Sequence, residues 1–458
     1  MKKFPDNFLW GAAASAPQTE GTVPGDGKSP STWDKWFELN PEKFNEGTQG
    51  PAVTSDVYNR YRDDIKLMKD MKLNSYRTSI AWTRLLPDGK TVNQKAVDYY
   101  RDYFQTLVDH GVEPIMNLFH FDMPWWLMEK GGWEIRESVD AFAFYAKTCF
   151  ELFGDIVKKW TTFNEPMVHI ECGYLYGYHY PAVKDFKLAV QVGYHTLMAH
   201  TMAVHEFRKL NIEGGEIGTI LNISPSYARS DSPEDQEAKR IADLLNTYAF
   251  LDPVALGHFP EGLEALLAEH DLSPEVETAD ETYIKENTVD FIGLNYSQPR
   301  RVQACQHPKT PAESPGNLYS YYDWPEKRMN TYRGWEIYPE AVYDVAIMMR
   351  DKYNNMPWYL SENGMGVQEE TRFLGEDRMI ADDYRIEFIK EHLDVLHKGI
   401  EAGSNCFGYH LWTFVDCWSW LNGYKNRYGY YGIDLATQKR IPKKSRFFME
   451  DVIKNKGY

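Results

Sequence analysis

A chain of 458 residues with 43% hydrophobic and 26% charged side chains can bury a large core, which excludes a disordered chain. Its 50 Lys+Arg against 67 Asp+Glu leave a formal charge of −17, so it lacks the broad basic balance that nucleic acid or an anionic membrane surface would need. No run of roughly eighteen apolar residues occurs, and no membrane span is expected.

The opening "MKKFPDNFLWGAAASA" starts basic, but Pro5 and Asp6 interrupt it before an apolar segment can form. This argues against a secretory signal. The five cysteines (149, 172, 305, 406 and 417) are scattered without a CxxC pair and suit a reducing compartment. A cytoplasmic protein is therefore expected.

Short β-rich runs separated by helical patterns predict eight strands, at 8–16, 75–82, 113–121, 158–166, 216–224, 290–297, 357–364 and 406–414. Most are continuously apolar, as parallel strands buried on both faces are. Amphipathic stretches at 96–111 and 384–403 read as helices, the second stopping at Lys398, Gly399 and Gly403. Eight such alternations predict an α/β fold, a single-domain (β/α)8 TIM barrel over 1–458 with long active-site loops. The Pro- and Tyr-rich stretch 297–334 shows no periodicity and is expected to be an extended loop after the sixth strand.

Polar residues collect at the C-terminal ends of these strands, where this fold builds its chemistry. They are Gln18, Arg77, His120, Asn164, Glu165, Tyr296, Glu362 and Trp412. Glu165 in "TFNEP" and Glu362 in "LSENG" form a carboxylate pair from different strands, the pattern glycoside hydrolysis needs. Whether they stand ~5–5.5 Å apart, as for retention, or ~6.5–9.5 Å, as for inversion, is open at this point. His195, His200 and His205 recur every five residues. That step turns each by about 140° around a helix, so they are read as structural, and no metal or cofactor is called for. Thirty-one Tyr and 14 Trp supply faces suited to sugar rings.

The segments "FPDNFLWGAAASAPQTEG", "YRTSIAWTRLLP", "LFHFDMPWWL", "GGWEIRESVDAFAFYAKTCFELFGDIVKKWTTFNEP" and "YLSENGMG" give the chain a close resemblance to glycoside hydrolase family 1, the retaining β-glycosidases. The resemblance implies Glu165 as general acid/base and Glu362 as nucleophile, with a covalent glycosyl–enzyme intermediate. Arg77 is expected to stabilise the Glu362 carboxylate, and Tyr296 to hydrogen-bond the same group. Gln18, His120, Asn164 and Trp412 are implied to line the sugar subsite, with Trp335 also in the substrate-binding set.

The stretch "VDCWSWLNGYKNRYG" (415–429) bears on the kind of sugar. Family members acting on plain glucosides usually hold a glutamate where this chain has Ser419. A carboxylate there would repel a 6-phosphate. The stretch resembles the 6-phospho-β-glucosidase and 6-phospho-β-galactosidase branch, whose members hold phosphate with this serine, a downstream lysine and a tyrosine matched by Tyr428. The lysine position is Asn426 here, flanked by Lys425 and Arg427, which is a departure from that pattern. In that branch a tryptophan at the Trp420 position is associated with galacto enzymes, but plain glucosidases also keep one, so the residue does not separate all cases.

The resulting expectation is retaining hydrolysis of 6-phosphorylated β-glucosides, with 6-phospho-β-galactosides also open. The substrate-binding set includes Ser419, Trp420, Lys425, Asn426 and Tyr428. The alternatives are an unphosphorylated β-glucosidase or β-galactosidase, and a non-catalytic sugar-binding barrel. The expected partner is a small phospho-sugar, with no nucleic acid and no membrane; a homo-oligomer is compatible with the sequence.

Overall fold

The computed structural model describes residues 2–44 and 49–458. Eight parallel strands close into a barrel in which each pairs with its neighbours in sequence and the last with the first. They are β1 (Leu9–Ala13), β2 (Ser75–Ser79), β3 (Glu113–Phe119), β4 (Lys159–Asn164), β5 (Glu216–Asn222), β6 (Phe291–Asn295), β7 (Trp358–Asn363) and β8 (Cys406–Trp412). Closure runs from Leu9 opposite Gly408 to Ala13 opposite Trp412. The connections carry α1 (Val57–Asp70), α2 (Gln94–Asp109), α3 (Glu137–Phe153), α4 (Phe186–Leu210), α5 (Ala249–Leu256), α6 (Glu340–Lys352), α7 (Asp383–Glu401) and α8 (Lys444–Asn455). Neighbouring helices pack on one another, α3 on α4 and α6 on α7. Among the described residues no helix is long and apolar enough to cross a membrane.

Strands are shorter than their apolar runs, because the rim residues turn away into loops. Glu165, placed at the end of a strand by its sequence, lies one residue beyond β4. β2 departs from the apolar pattern: "SYRTS" is polar yet buried throughout. Its partners explain it. Ser75 Oγ lies 2.7 Å from His410 Nε2 inside the barrel, and Gly11 leaves the space that the imidazole fills. Asn93 caps α2 by accepting from the Lys95 N–H. α7 stops before Gly403, whose φ of +96° suits glycine.

The stretch 297–334 is not the unstructured loop its composition suggests. Arg300–Ala304 and Tyr319–Tyr321 join Ser226–Ala228 in a three-stranded sheet. Met329–Asn330 then pairs with Trp335–Glu336 as a tight hairpin. These pairings join segments far apart in sequence, so no local periodicity announces them. His195 and His200 on α4 are separately engaged, with the Trp133 carbonyl at 2.9 Å and Thr162 Oγ1 at 2.7 Å.

Candidate active site

β4 delivers Asn164 as its last residue, and Glu165 follows in a left-handed backbone conformation with φ 49° and ψ 61°. Such a conformation costs a non-glycine residue ~1 kcal/mol or more and is typical of functional turns. Pro166 then starts a short helix, Pro166–Ile170, where its missing N–H is no loss. The sharp turn leaves Glu165 half-buried at the barrel mouth. Asn295, the last residue of β6, donates its amide to Glu165 Oε1 at 2.9 Å and to Asn164 Oδ1 at 3.0 Å.

Glu362 comes from β7, where it sits opposite Asn295 in the ladder. Arg77 of β2, fully buried, donates through Nη2 to Glu362 and to Asn164 Oδ1 at 3.3 Å. Its Nη1 is held by the Ala14 carbonyl at 2.9 Å. Arg77, Asn164 and Asn295 thus knit the two carboxylates into one polar cluster on β2, β4, β6 and β7.

The two carboxyls differ electrostatically. Burial, and next the charge of Glu362, push the Glu165 pKa up to about 8, with Asn295 and Arg77 pulling weakly the other way. Burial also raises Glu362, but the Arg77 charge and hydrogen bond, with Asn295, oppose it. Glu165 is therefore protonated near neutral pH, and Glu362 is the carboxyl that the adjacent guanidinium favours as an anion. One donor and one anion at a barrel mouth can protonate a leaving oxygen and attack the carbon it leaves.

His120 follows β3, with Nε2 at 3.3 Å from Asn164 Nδ2 and Nδ1 at 3.5 Å from Arg77 Nη1. Burial and then the Arg77 charge hold it well below the ordinary histidine pKa, so it is neutral. Its ring stacks near Trp412 and Trp420, each 6.0 Å away, and Arg77 lies 5.9 Å from the Trp412 ring. Gln18 is buried, accepting from Ser15 Oγ at 2.8 Å and donating to the Trp418 carbonyl at 2.9 Å, which ties it to the loop after β8. Tyr296 differs from its expected role. Its hydroxyl donates to the Tyr338 carbonyl at 2.6 Å, and it is the Tyr296 main-chain N–H that reaches Glu362, at the carbonyl oxygen, 2.9 Å away. Tyr338, two residues before α6, supplies the carbonyl that accepts this hydroxyl's hydrogen bond.

The 415–429 stretch forms the loop after β8. Ser419 and Tyr428 are buried, and Asn426 is buried with its Oδ1 unpartnered. Trp420 packs 4.4 Å from Trp33. The two cations foreseen from the sequence do not join this group. Lys425 is exposed and lines a separate cleft with Glu369, Glu370 and Asp416. Arg427 is drawn to Asp416 Oδ2 at 3.6 Å and lies over Tyr424. A different cation is present: Arg333, at the tip of the 329–336 hairpin, donates from Nε to the Tyr428 hydroxyl at 3.1 Å. Its guanidinium also covers Trp335 at 4.1 Å. Burial raises the Tyr428 pKa, while the Arg333 charge, its hydrogen bond and Ser419 draw it back.

Sequence reasoning missed Asn295 and Arg333. Asn295 immediately precedes Tyr296 and carried a signal, since it too ends a strand. Arg333 carried none, because only the hairpin brings it to Tyr428.

The model of Glycosyl hydrolase family 1 matches residues 1–458. The chain is 48% identical to the 6-phospho-beta-glucosidase GmuD of Bacillus subtilis, covering 100% of this chain and 98% of that protein. It is 32% identical to a 6-phospho-beta-galactosidase of Clostridium acetobutylicum, covering 99% and 97%. The family 1 β-glucosidase structure from Thermotoga maritima superposes with a TM-score of 0.91 at 35% identity, covering 100% of both chains.

Proposed function

The chain belongs to glycosyl hydrolase family 1, and from that premise we propose that it hydrolyses 6-phosphorylated β-glucosides with retention of configuration. Glu165 protonates the leaving oxygen while Glu362 attacks the anomeric carbon, forming a glycosyl ester. Water, deprotonated by Glu165, then releases the sugar. Arg77 pairs with Glu362 and favours its anion against burial, and Asn295 orients Glu165.

One observation carries the substrate reading: a buried serine, Ser419, stands beside Tyr428, at the position where the family resemblance implies a carboxylate in plain glucosidases. The 48% identity to a protein named a 6-phospho-beta-glucosidase supports it. A phosphorylated sugar is made inside cells, so the site of action is the cytoplasm. The substrate subsite draws on Gln18, His120, Trp412 and Trp420 around the ring.

Steady-state kinetics on aryl β-glucoside, aryl β-galactoside and the 6-phosphate of each test the reading. A 6-phosphate preference of about a hundredfold in kcat/KM corresponds to ~2.7 kcal/mol of differential transition-state binding. Higher kcat/KM on the plain sugars would overturn the substrate. Loss of roughly 10⁴-fold in Glu362→Gln is expected of a nucleophile. Unimpaired turnover in that variant and in Glu165→Gln would overturn the chemistry.

A further inference from the structure

We propose that Arg333 supplies the positive charge for the substrate's 6-phosphate, in the role left vacant by Asn426. The proposal rests on the phospho-sugar reading above and deepens it.

A phosphate dianion needs a cation close by, all the more in a chain of net charge −17. Three cations are candidates near Ser419. Lys425 faces solvent beside Glu369 and Glu370, and Arg427 is paired with Asp416. Arg333 alone of the three contacts the Ser419–Tyr428 group, through the 3.1 Å bond from its Nε. Among the described residues this is its one hydrogen bond to protein, which leaves Nη1 and Nη2 as donors. A guanidinium with two free donors matches two phosphate oxygens.

The hairpin that presents Arg333 is anchored on both sides. Asn330 Nδ2 donates to the Gly366 carbonyl at 2.9 Å, just beyond Glu362, and Gln368 Nε2 donates to the Tyr332 carbonyl at 2.6 Å. At its base Glu336 pairs with Arg301 at 2.6 Å. Gly334, with φ +79°, makes the turn at the tip. Trp335 lies under the guanidinium and limits its swing. Asn426, buried and neutral with a free Oδ1, brings no charge of its own to the loop that carries Tyr428.

The test is the ratio of kcat/KM for 6-phospho-aryl-β-glucoside to that for the plain glucoside, in wild type, Arg333→Gln and Arg333→Lys. Arg333→Gln is expected to lower the ratio on the order of 10- to 100-fold, mainly through KM for the phosphorylated substrate. Arg333→Lys keeps the charge and is expected to lose less. An unchanged ratio in Arg333→Gln, or equal losses in the two variants, overturns the role of Arg333. A wild-type ratio below one overturns the phospho-sugar reading itself, so the two failures are told apart.

Discussion

Ser361 aims the amide of Asn295: its hydroxyl donates to Asn295 Oδ1 at 2.6 Å, which turns Nδ2 toward Glu165. Because that amide bond favours the ionised carboxyl, Asn295→Ala should raise the Glu165 pKa above its value of about 8. The alkaline limb of kcat/KM for the 6-phospho-glucoside should move up in pH. Turnover should fall tenfold or more, since the donor is no longer held in place. A pH profile of the variant checks both. An unmoved limb would mean that Asn295 serves packing alone.

The Glu165 titration also sets how stability depends on pH. Its folded pKa of about 8 lies above the unfolded value near 4.5. Between these values the folded state holds a proton that the unfolded state has lost, so the site costs the fold more as pH rises. Glu165→Gln removes that cost. Its gain in Tm over wild type should be small at pH 4.5 and grow until about pH 8, then level off. Thermal melts at pH 4.5, 6.5 and 8.5 measure it, and a gain that shrinks with pH would contradict the assignment of the proton.

Ser419→Glu should reverse the sugar preference. A carboxylate in this buried position would repel the 6-phosphate and accept hydrogen bonds from an unmodified O6 hydroxyl. The 6-phospho-glucoside should lose about a hundredfold or more in kcat/KM while the plain glucoside gains relative to it. The same substrate panel reads the result, and an unaltered ratio would place Ser419 away from O6.

Gly11→Ala tests how tightly the barrel interior is filled. An added Cβ would meet His410 Nε2 at 2.5 Å and the Ser75 carbonyl at 2.6 Å, both within a closed ring of strands. Overpacking of this kind costs ~1–3 kcal/mol. Denaturant unfolding should show a lower midpoint with unchanged slope. Wild-type stability in the variant would mean that the interior has slack.

The barrel was legible because parallel strands buried on both faces leave apolar runs at regular spacing, and because the rim marks each strand end with a polar residue. Glu165, Glu362 and His120 were legible for the second reason, whereas Arg77, expected at a strand end, is the central residue of β2. Tyr296 was placed correctly along the chain, yet its hydroxyl turns to Tyr338, forty-two residues on, a choice made by tertiary folding. Lys425 and Arg427 looked available from composition, but Asp416 claims one and solvent the other. Arg333 lay hidden for the converse reason: its hydrogen-bond partner, Tyr428, comes from the loop after β8, ninety-five residues on.

Asp416 sits at the root of the Ser419–Tyr428 loop, accepting from the N–H groups of Tyr428 and Gly429 at 3.0 and 2.8 Å and from Lys443 at 2.9 Å. Lys443 in turn pairs with Glu370, which Arg385 also holds. The loop is thus riveted at its base by a buried ion network separate from the residues of its tip. None of the clamp's ion pairs reaches Glu165 or Glu362, whose own partners are Asn295 and Arg77. If the tip sets the sugar, as proposed, a change of substrate at Ser419 leaves both the clamp and the carboxylate pair in place, so specificity and hydrolysis are separable in this fold.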